Sequence, residues 1–240
     1  MAHIGVLKVF DRENIKINAV CGTSMGAIVG GLYAGGIKPA EMEAAIDELS
    51  IIRQLNLGIG KRAIFGEKVY RCLIDVLEKQ ACVEQIEHLA IPFKAVSVDL
   101  ITGRQVIHDH GSLLTALKAS SAIPGILLPV RSEGRFLVDG GVLNNMPVDI
   151  LDRNIVDIAI AVDVNQETIE EEPRNIPELL FRTFNVMMTA LRKSTLSSAD
   201  IIIQPDVRGI FALDIRKMKA AIQAGEQAAE EQLKTILQLV

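Results

Sequence analysis

The chain has 240 residues, of which 49% are hydrophobic and 23% charged, as in an ordinary globular protein. Its formal net charge of −5 argues against nucleic acid as the main partner, because phosphate binding requires a basic face. Aromatic residues make up only 4% and tryptophan is absent, which argues against a stacking platform for bases or sugars.

The first third of the chain alternates apolar helical patterns with one short strand. A strand is predicted at 15–21, and its apolar run leads directly into a helix of small residues. Residues 55–65 mix apolar residues with glycines and are predicted as a loop. Helices are predicted at 2–12, 24–34, 39–49 and 67–79.

The remainder of the chain adds hairpins and long helices. Turn residues predict one hairpin from 93–99 and 105–108, and a second from 127–130 and 135–138. Helices are predicted at 113–121, 147–154, 177–196 and 214–237, buried strands at 156–162 and 201–203, and a surface loop at 167–177. Alternation of strands and helices predicts an α/β fold in a single domain over 1–240 with a largely parallel central sheet.

Cysteine content and the first residues indicate the compartment. The three cysteines, Cys21, Cys72 and Cys82, form no C-x-x-C pair, which favours buried thiols in a reducing compartment over disulfides or a zinc site. The start M-A-H-I-G-V-L-K-V-F-D lacks the basic segment of a signal peptide. We therefore predict a cytoplasmic protein.

The sequence C-G-T-S-M-G-A at 21–27 contains the pattern G-x-S-x-G, as Gly22, Ser24 and Gly26. A nucleophile elbow places its serine on a tight strand-to-helix turn, where side chains two residues away would collide and glycines do not. A strand is predicted before this turn and a helix after it. The N–H of Met25, at the helix start, can then face a developing oxyanion.

A serine nucleophile needs a positioned base, and the sequence offers two kinds. Histidine is the usual base, and a triad of Ser24, Asp99 and His108 or His110 is one interpretation. No histidine follows His110, however, and both histidines lie in the polar stretch H-D-H-G, which is typical of a solvated loop.

A carboxylate is the other candidate base. Asp139 follows the apolar stretch F-L-V and precedes Gly140 and Gly141. An aspartate just beyond a buried strand is held by the sheet, and the glycines let another backbone approach closely. In a poorly solvated site its pKa would rise, which improves it as a base. The same residues are also compatible with an ordinary turn after a strand.

Four stretches in this order resemble the bacterial patatin-like phospholipases: A-H-I-G-V-L-K-V-F, G-T-S-M-G-A-I-V-G-G-L-Y-A-G-G, A-S-S-A-I-P-G-I-L-L-P-V and L-V-D-G-G-V-L-N-N-M-P-V. The resemblance implies a three-layer α/β/α sandwich and a Ser–Asp dyad without histidine. Ser24 matches the family's elbow serine and Asp139 its D-G-G aspartate. The implied activity is cleavage of fatty-acyl esters from phospholipids or lysophospholipids. The sequence shows no metal-ligand spacing such as D-x-D-x-D-G, and the dyad chemistry does not require calcium, so we expect no cofactor or metal.

The sequence departs from the family pattern at its start. Members normally carry an apolar strand and a glycine-rich loop before A-H-I-G, and that loop supplies oxyanion-hole amides. Loss of one such donor costs roughly 10²–10³ in rate. The alternative interpretation is therefore a catalytically weak or silent patatin-like regulatory or binding protein, and restoring the missing segment is expected to raise activity and stability.

A lipid substrate requires contact with a membrane surface, so we expect peripheral contact with the inner face of the membrane. Residues 55–66, L-N-L-G-I-G-K-R-A-I-F-G, combine apolar side chains with Lys61 and Arg62 and are one candidate for that contact. Packing of these apolar residues against the core is the alternative.

Overall fold

The computed structural model describes residues 1–46, 83–125, 127–165, 172–173, 176–210 and 217–239. The lipid-contact segment predicted at 55–66, the helix predicted at 67–79, Cys72 and Cys82 lie outside the described residues.

The described residues form helices and strands in the order predicted, with two differences. The helix predicted at 147–154 is a 3₁₀ turn at Pro147–Ile150, and the strand predicted at 127–130 lies at Val130–Ser132. The helices are α1 (Ala2–Arg12), α2 (Met25–Ala34), α3 (39–46), α4 (Leu113–Ser120), α5 (Ile176–Leu196) and α6 (Met218–Leu239). The strands are β1 (Val20–Thr23), β2 (Phe93–Asp99), β3 (Arg104–His108), β4 (Val130–Ser132), β5 (Arg135–Asp139), β6 (Ile160–Val162) and β7 (Ile201–Ile203). Short 3₁₀ turns occupy Ile86–His88, Gly140–Val142 and Pro147–Ile150.

Two strands are shorter than their apolar runs predicted. β1 begins at Val20 instead of 15, and β6 begins at Ile160 instead of 156. The preceding residues Ile15, Ile17 and Ile158 pack into a cluster with α1 and α6. Their hydrophobicity therefore reflects burial between helices and strands, and an apolar run alone does not show where backbone pairing starts.

The larger sheet is mixed. β1 pairs with β2 in parallel, whereas β2–β3, β2–β5 and β4–β5 are antiparallel. β6 and β7 form a separate parallel pair. The α/β prediction is confirmed, but the expectation of a largely parallel sheet is wrong for the described strands. The reason is that two of these pairs, β2–β3 and β4–β5, are hairpins, and a short turn can only join antiparallel strands.

Helices α2 and α4 cover one face of the larger sheet. Helix α5 and the irregular segment 140–150 cover the opposite face. α2 and α4 pack on β1 and β2, where Phe93 contacts the glycines of α2. On the opposite face Thr23 donates to the carbonyl of Asn144, and Cys21 to that of Pro147. α5 lies over the same 140–150 segment. No helix among the described residues is both long and apolar enough to cross a bilayer.

The register along β2 brings two strand ends together. Residues 93–96 of β2 pair with β1 and residues 97–99 pair with β5, while β3 occupies the other edge of 95–99. β1 and β5 therefore share one edge of β2. They run in opposite directions, so Thr23 ends opposite Val96 and Asp139 ends opposite Ser97. The residues that follow both strands must meet at this point.

Candidate active site

Ser24 forms the turn between β1 and α2 in a strained backbone conformation. Its φ of 55° and ψ of −124° are unusual for a residue with a side chain. The turn is held by the last residue of α4, since the N–H of Ser24 donates to both the carbonyl oxygen of Ser120 at 3.1 Å and its Oγ at 3.0 Å. No local sequence pattern predicts this contact, because it joins residues 96 positions apart.

Gly22 and Gly26 flank this turn but do not carry the same steric requirement. A Cβ on Gly22 would lie 2.5 Å from the backbone carbon of Gly26 and 2.6 Å from the nitrogen of Ala27. A Cβ on Gly26 would meet only Nε2 of His3, at an ordinary 3.6 Å. The collision expected on both sides of the serine is therefore found at Gly22 and not at Gly26.

We expect Gly22→Ala to lower the free energy of unfolding by at least about 2 kcal/mol, because backbone must move to admit the methyl group. Gly26→Ala is the matched control and should stay within about 1 kcal/mol of the original protein, since alanine favours the helix interior. Urea unfolding of the two variants checks this. Equal destabilisation by both would contradict the asymmetry.

Asp139 is fully buried at the end of β5. Its Oδ1 accepts a hydrogen bond of 2.8 Å from the N–H of Gly141, whereas Oδ2 is buried without a partner in normal hydrogen-bond geometry. Burial raises the pKa of Asp139 to about 7, and the Ser24 hydroxyl and the Gly141 N–H act against that rise. The expectation of a raised pKa is thus met, with desolvation as the main cause.

The two glycines after Asp139 allow close packing on both sides. A Cβ on Gly140 would overlap the carbonyl of Val96 in β2 and lie 2.9 Å from Cγ2 of Thr23. A Cβ on Gly141 would lie 2.5 Å from Sδ of Met188 and 3.2 Å from Cζ of Phe184, both in α5. The D-G-G turn is therefore pressed between the end of β1 and helix α5. The Ser24 hydroxyl is close enough to the Asp139 carboxyl to oppose the rise in its pKa.

The structure does not bring together the triad of Ser24, Asp99 and His108 or His110. Nε2 of His108 shares a 2.7 Å hydrogen bond with Oγ of Ser97. Asp99 accepts hydrogen bonds from Thr102 and from the N–H groups of Ile101 and Phe136. The exposed His110 pairs with Asp109.

None of these three candidates contacts Ser24 through any hydrogen bond among the described residues. Their polar groups instead form hydrogen bonds within the β2–β3 hairpin, with β5 and with Asp109. The geometry therefore does not support a triad of Ser24, Asp99 and His108 or His110.

His3 lies beside the elbow and was not assigned a role from the sequence. Its Nε2 faces Gly26, and its buried Nδ1 has no hydrogen-bond partner in the described part of the chain. Burial lowers the pKa of His3 to about 3, with a further contribution from the chain's amino terminus. The ring is therefore neutral at physiological pH.

Met25 occupies the first position of α2. The N–H groups in the first turn of a helix have no acceptor within the helix, and the helix dipole makes this end favourable for negative charge. The turn thus presents a free donor next to the Ser24 side chain, and the described residues around it contain no cluster of three or more metal-ligating side chains.

Comparisons with known proteins show the family to which the chain belongs. The model of the patatin-like phospholipase family matches residues 1–152. An uncharacterised NTE family protein of Mycobacterium tuberculosis is 36% identical over 167 residues, covering 68% of this chain and 45% of that protein. A second from the same organism is 30% identical and covers all of this chain, again with 45% of its own length. The chain thus spans less than half the length of these relatives.

More distant proteins extend the likeness. Patatin-like phospholipase domain-containing protein 6 of Mus musculus is 31% identical over 175 residues, which is 69% of this chain and 13% of that protein. The crystal structure of VipD from Legionella pneumophila superimposes with a TM-score of 0.55 over 98% of this chain and 64% of that one, at 14% identity, which supports the fold. Since the family model covers more than half of its residues, the chain belongs to the patatin-like phospholipase family.

Proposed function

We propose that this chain is a serine acyl-ester hydrolase of phospholipids or lysophospholipids, with Ser24 as nucleophile and Asp139 as general base. The observation that carries the proposal is the meeting of a strained serine with a buried carboxyl on one edge of β2. A carboxyl with a pKa of about 7 is partly ionised at neutral pH, and its carboxylate form is a strong enough base to accept a proton from the serine hydroxyl. Family membership supplies the lipid ester as the substrate class.

The chemistry follows from these positions. Oδ2 of Asp139, which has no other partner, takes the hydroxyl proton as Oγ of Ser24 attacks the acyl carbonyl carbon. The carbonyl oxygen becomes an oxyanion beside the N–H of Met25 at the start of α2. When the intermediate collapses, the acyl–oxygen bond breaks and the alcohol leaves with the proton from Asp139. Water then repeats the sequence on the acyl-serine and releases a fatty acid.

Product analysis in H₂¹⁸O tests this proposal. The purified chain is incubated with phosphatidylglycerol, phosphatidylethanolamine and lysophosphatidylcholine, and released fatty acids are measured by mass spectrometry. We expect fatty acid carrying ¹⁸O from at least one lipid and none from a Ser24→Ala sample prepared in parallel.

Fatty acid without ¹⁸O would mean that the bond between the ester oxygen and the alcohol carbon breaks, which contradicts an acyl-serine intermediate. Formation of a new acyl ester without free fatty acid would mean that water is not the acyl acceptor. No release from any lipid, by protein that is folded, would contradict the hydrolase function and favour a silent lipid-binding member of the family.

A further inference from the structure

Two β-hairpin turns project beyond the candidate site, and they are joined to each other. The β2–β3 turn carries Leu100 and Ile101, which are 51% and 70% exposed although both are large and apolar. The N–H of Leu100 donates to the carbonyl of Phe136 in β5 at 2.9 Å, so this turn is fixed against the β4–β5 hairpin. Two prominent apolar side chains thus lie on a hairpin turn that is connected to the other hairpin.

The same unit is positively charged on a chain of net charge −5. Arg104, Arg131 and Arg135 are exposed, and no described carboxylate lies within ion-pair distance of them. Arg131 packs over the ring of Phe136, with 4.7 Å from its Cζ to the ring centroid. Glu133 is the only exposed acidic residue within 93–108 and 130–139.

Asp99, the other acid near the turns, forms no ion pair with these arginines among the described residues. It is buried, and its carboxylate accepts hydrogen bonds from Thr102, Ile101 and Phe136. The backbone donors from Ile101 and Phe136 hold the two turns in place around it.

We propose that this hairpin-tip surface, formed by Leu100, Ile101, Arg104, Arg131 and Arg135, docks on the surface of a bilayer that contains anionic phospholipid. Arginines beside exposed apolar side chains match the headgroup boundary, where anionic lipids attract basic groups and apolar side chains enter the acyl region. The lipid as substrate rests on the proposed function, but docking can be measured without hydrolysis.

The surface is continuous with the candidate site. Arg135 begins β5 and Asp139 ends it, so they are separated by about 14 Å at 3.4 Å per residue. A docked bilayer would therefore lie on the side of the site toward which β2 extends beyond the end of β1, one strand length from Asp139.

A second copy of the chain fits this surface less well. In a symmetric dimer the same patch faces itself, so three arginines would oppose three arginines with Glu133 of each copy as the single exposed carboxylate of the patch. The charge therefore favours an anionic lipid surface as the occupant.

Vesicle co-sedimentation tests the proposal with phosphatidylcholine vesicles and with vesicles of phosphatidylcholine mixed with phosphatidylglycerol. We expect binding to the mixed vesicles that weakens with salt, and much weaker binding to the neutral ones. Arg131→Gln/Arg135→Gln should lower the partition constant at least about tenfold, because each basic residue near an anionic surface contributes about fivefold. Leu100→Ser/Ile101→Ser should also lower it at least about tenfold through lost apolar burial.

Matched controls lie at the opposite end of the sheet. Lys16→Gln/Lys38→Gln removes the same charge from exposed lysines that precede β1 and follow α2, and Ile155→Ser removes an exposed apolar residue from a cavity near Ala19 and Pro92. These variants should bind as the original protein does. All variants should hydrolyse a short soluble ester at an unchanged rate and keep their melting temperature within a few degrees.

Three results would overturn the docking surface: no preference for anionic vesicles, equal binding by the hairpin and control variants, or a dimer of the original protein that the hairpin substitutions dissociate. Absence of hydrolysis with intact, hairpin-dependent vesicle binding would contradict the proposed function and leave the docking surface standing.

Discussion

Ser24→Ala is expected to abolish both ester hydrolysis and labelling by a fluorophosphonate ester, with turnover lowered by at least about 10³-fold. The hydroxyl is the only reactive group of the serine side chain, and without it no acyl-enzyme can form. The fold should persist, because the contacts that hold the turn to Ser120 use the backbone N–H of residue 24, which alanine retains.

Intact mass spectrometry measures the labelling, and Ser112→Ala serves as the matched control. Ser112 caps α4 by accepting from the N–H of Thr115, so its loss should cost about 1 kcal/mol of stability without affecting the label. Full labelling of a folded Ser24→Ala sample would place the nucleophile at another residue.

Asp139→Asn is expected to lower turnover by at least about 10³-fold, because an amide cannot accept the Ser24 proton and removal of one member disables a catalytic unit. The variant should keep the fold, since asparagine can still accept from the N–H of Gly141. His108→Ala and His110→Ala should change turnover far less. A loss from either histidine as severe as that from Asp139→Asn would contradict the dyad.

The pH dependence of the same carboxyl gives a second readout. Asp139 acts as a base only when it is ionised, so kcat/KM should rise with pH up to about 7 and level off above it. In the unfolded chain the carboxyl titrates near 3.9, so between about pH 4 and 7 the folded state holds a proton that the unfolded state has released. The contribution of this carboxyl to the free energy of unfolding is therefore fully present below pH 4. It falls by up to about 1.4 kcal/mol per pH unit until pH 7.

Asp139→Asn removes this titration. Its unfolding free energy should increase relative to the original protein as the pH is raised from 5 to 8, which denaturant unfolding at both values would measure. Parallel stability curves for the two proteins would show that burial does not perturb this carboxyl.

Local order in this fold could be predicted from the sequence. The boundaries of α1, α2, β2 and α5 lie within one residue of their predicted ranges, because 3.6-residue periodicity, turn residues and glycines act over short distances. The starts of β1 and β6 could not be predicted, since the apolar residues before them are buried by helices and not by backbone pairing. The direction of the strands in the larger sheet likewise could not be predicted, because it depends on which strand β5 pairs with.

For the candidate site, the sequence by itself determined the two local motifs: a serine on a glycine-flanked turn and an aspartate between an apolar strand and two glycines. Only the tertiary structure decided that they meet, because contact between residues 115 positions apart depends on β1 and β5 sharing one edge of β2 in a specific register. It also decided the chemistry of Asp139, whose pKa rises through burial by segments distant in sequence, including Phe184 and Met188 of α5 beside its turn. Desolvation is the sum of many long-range contacts, and no local pattern encodes it.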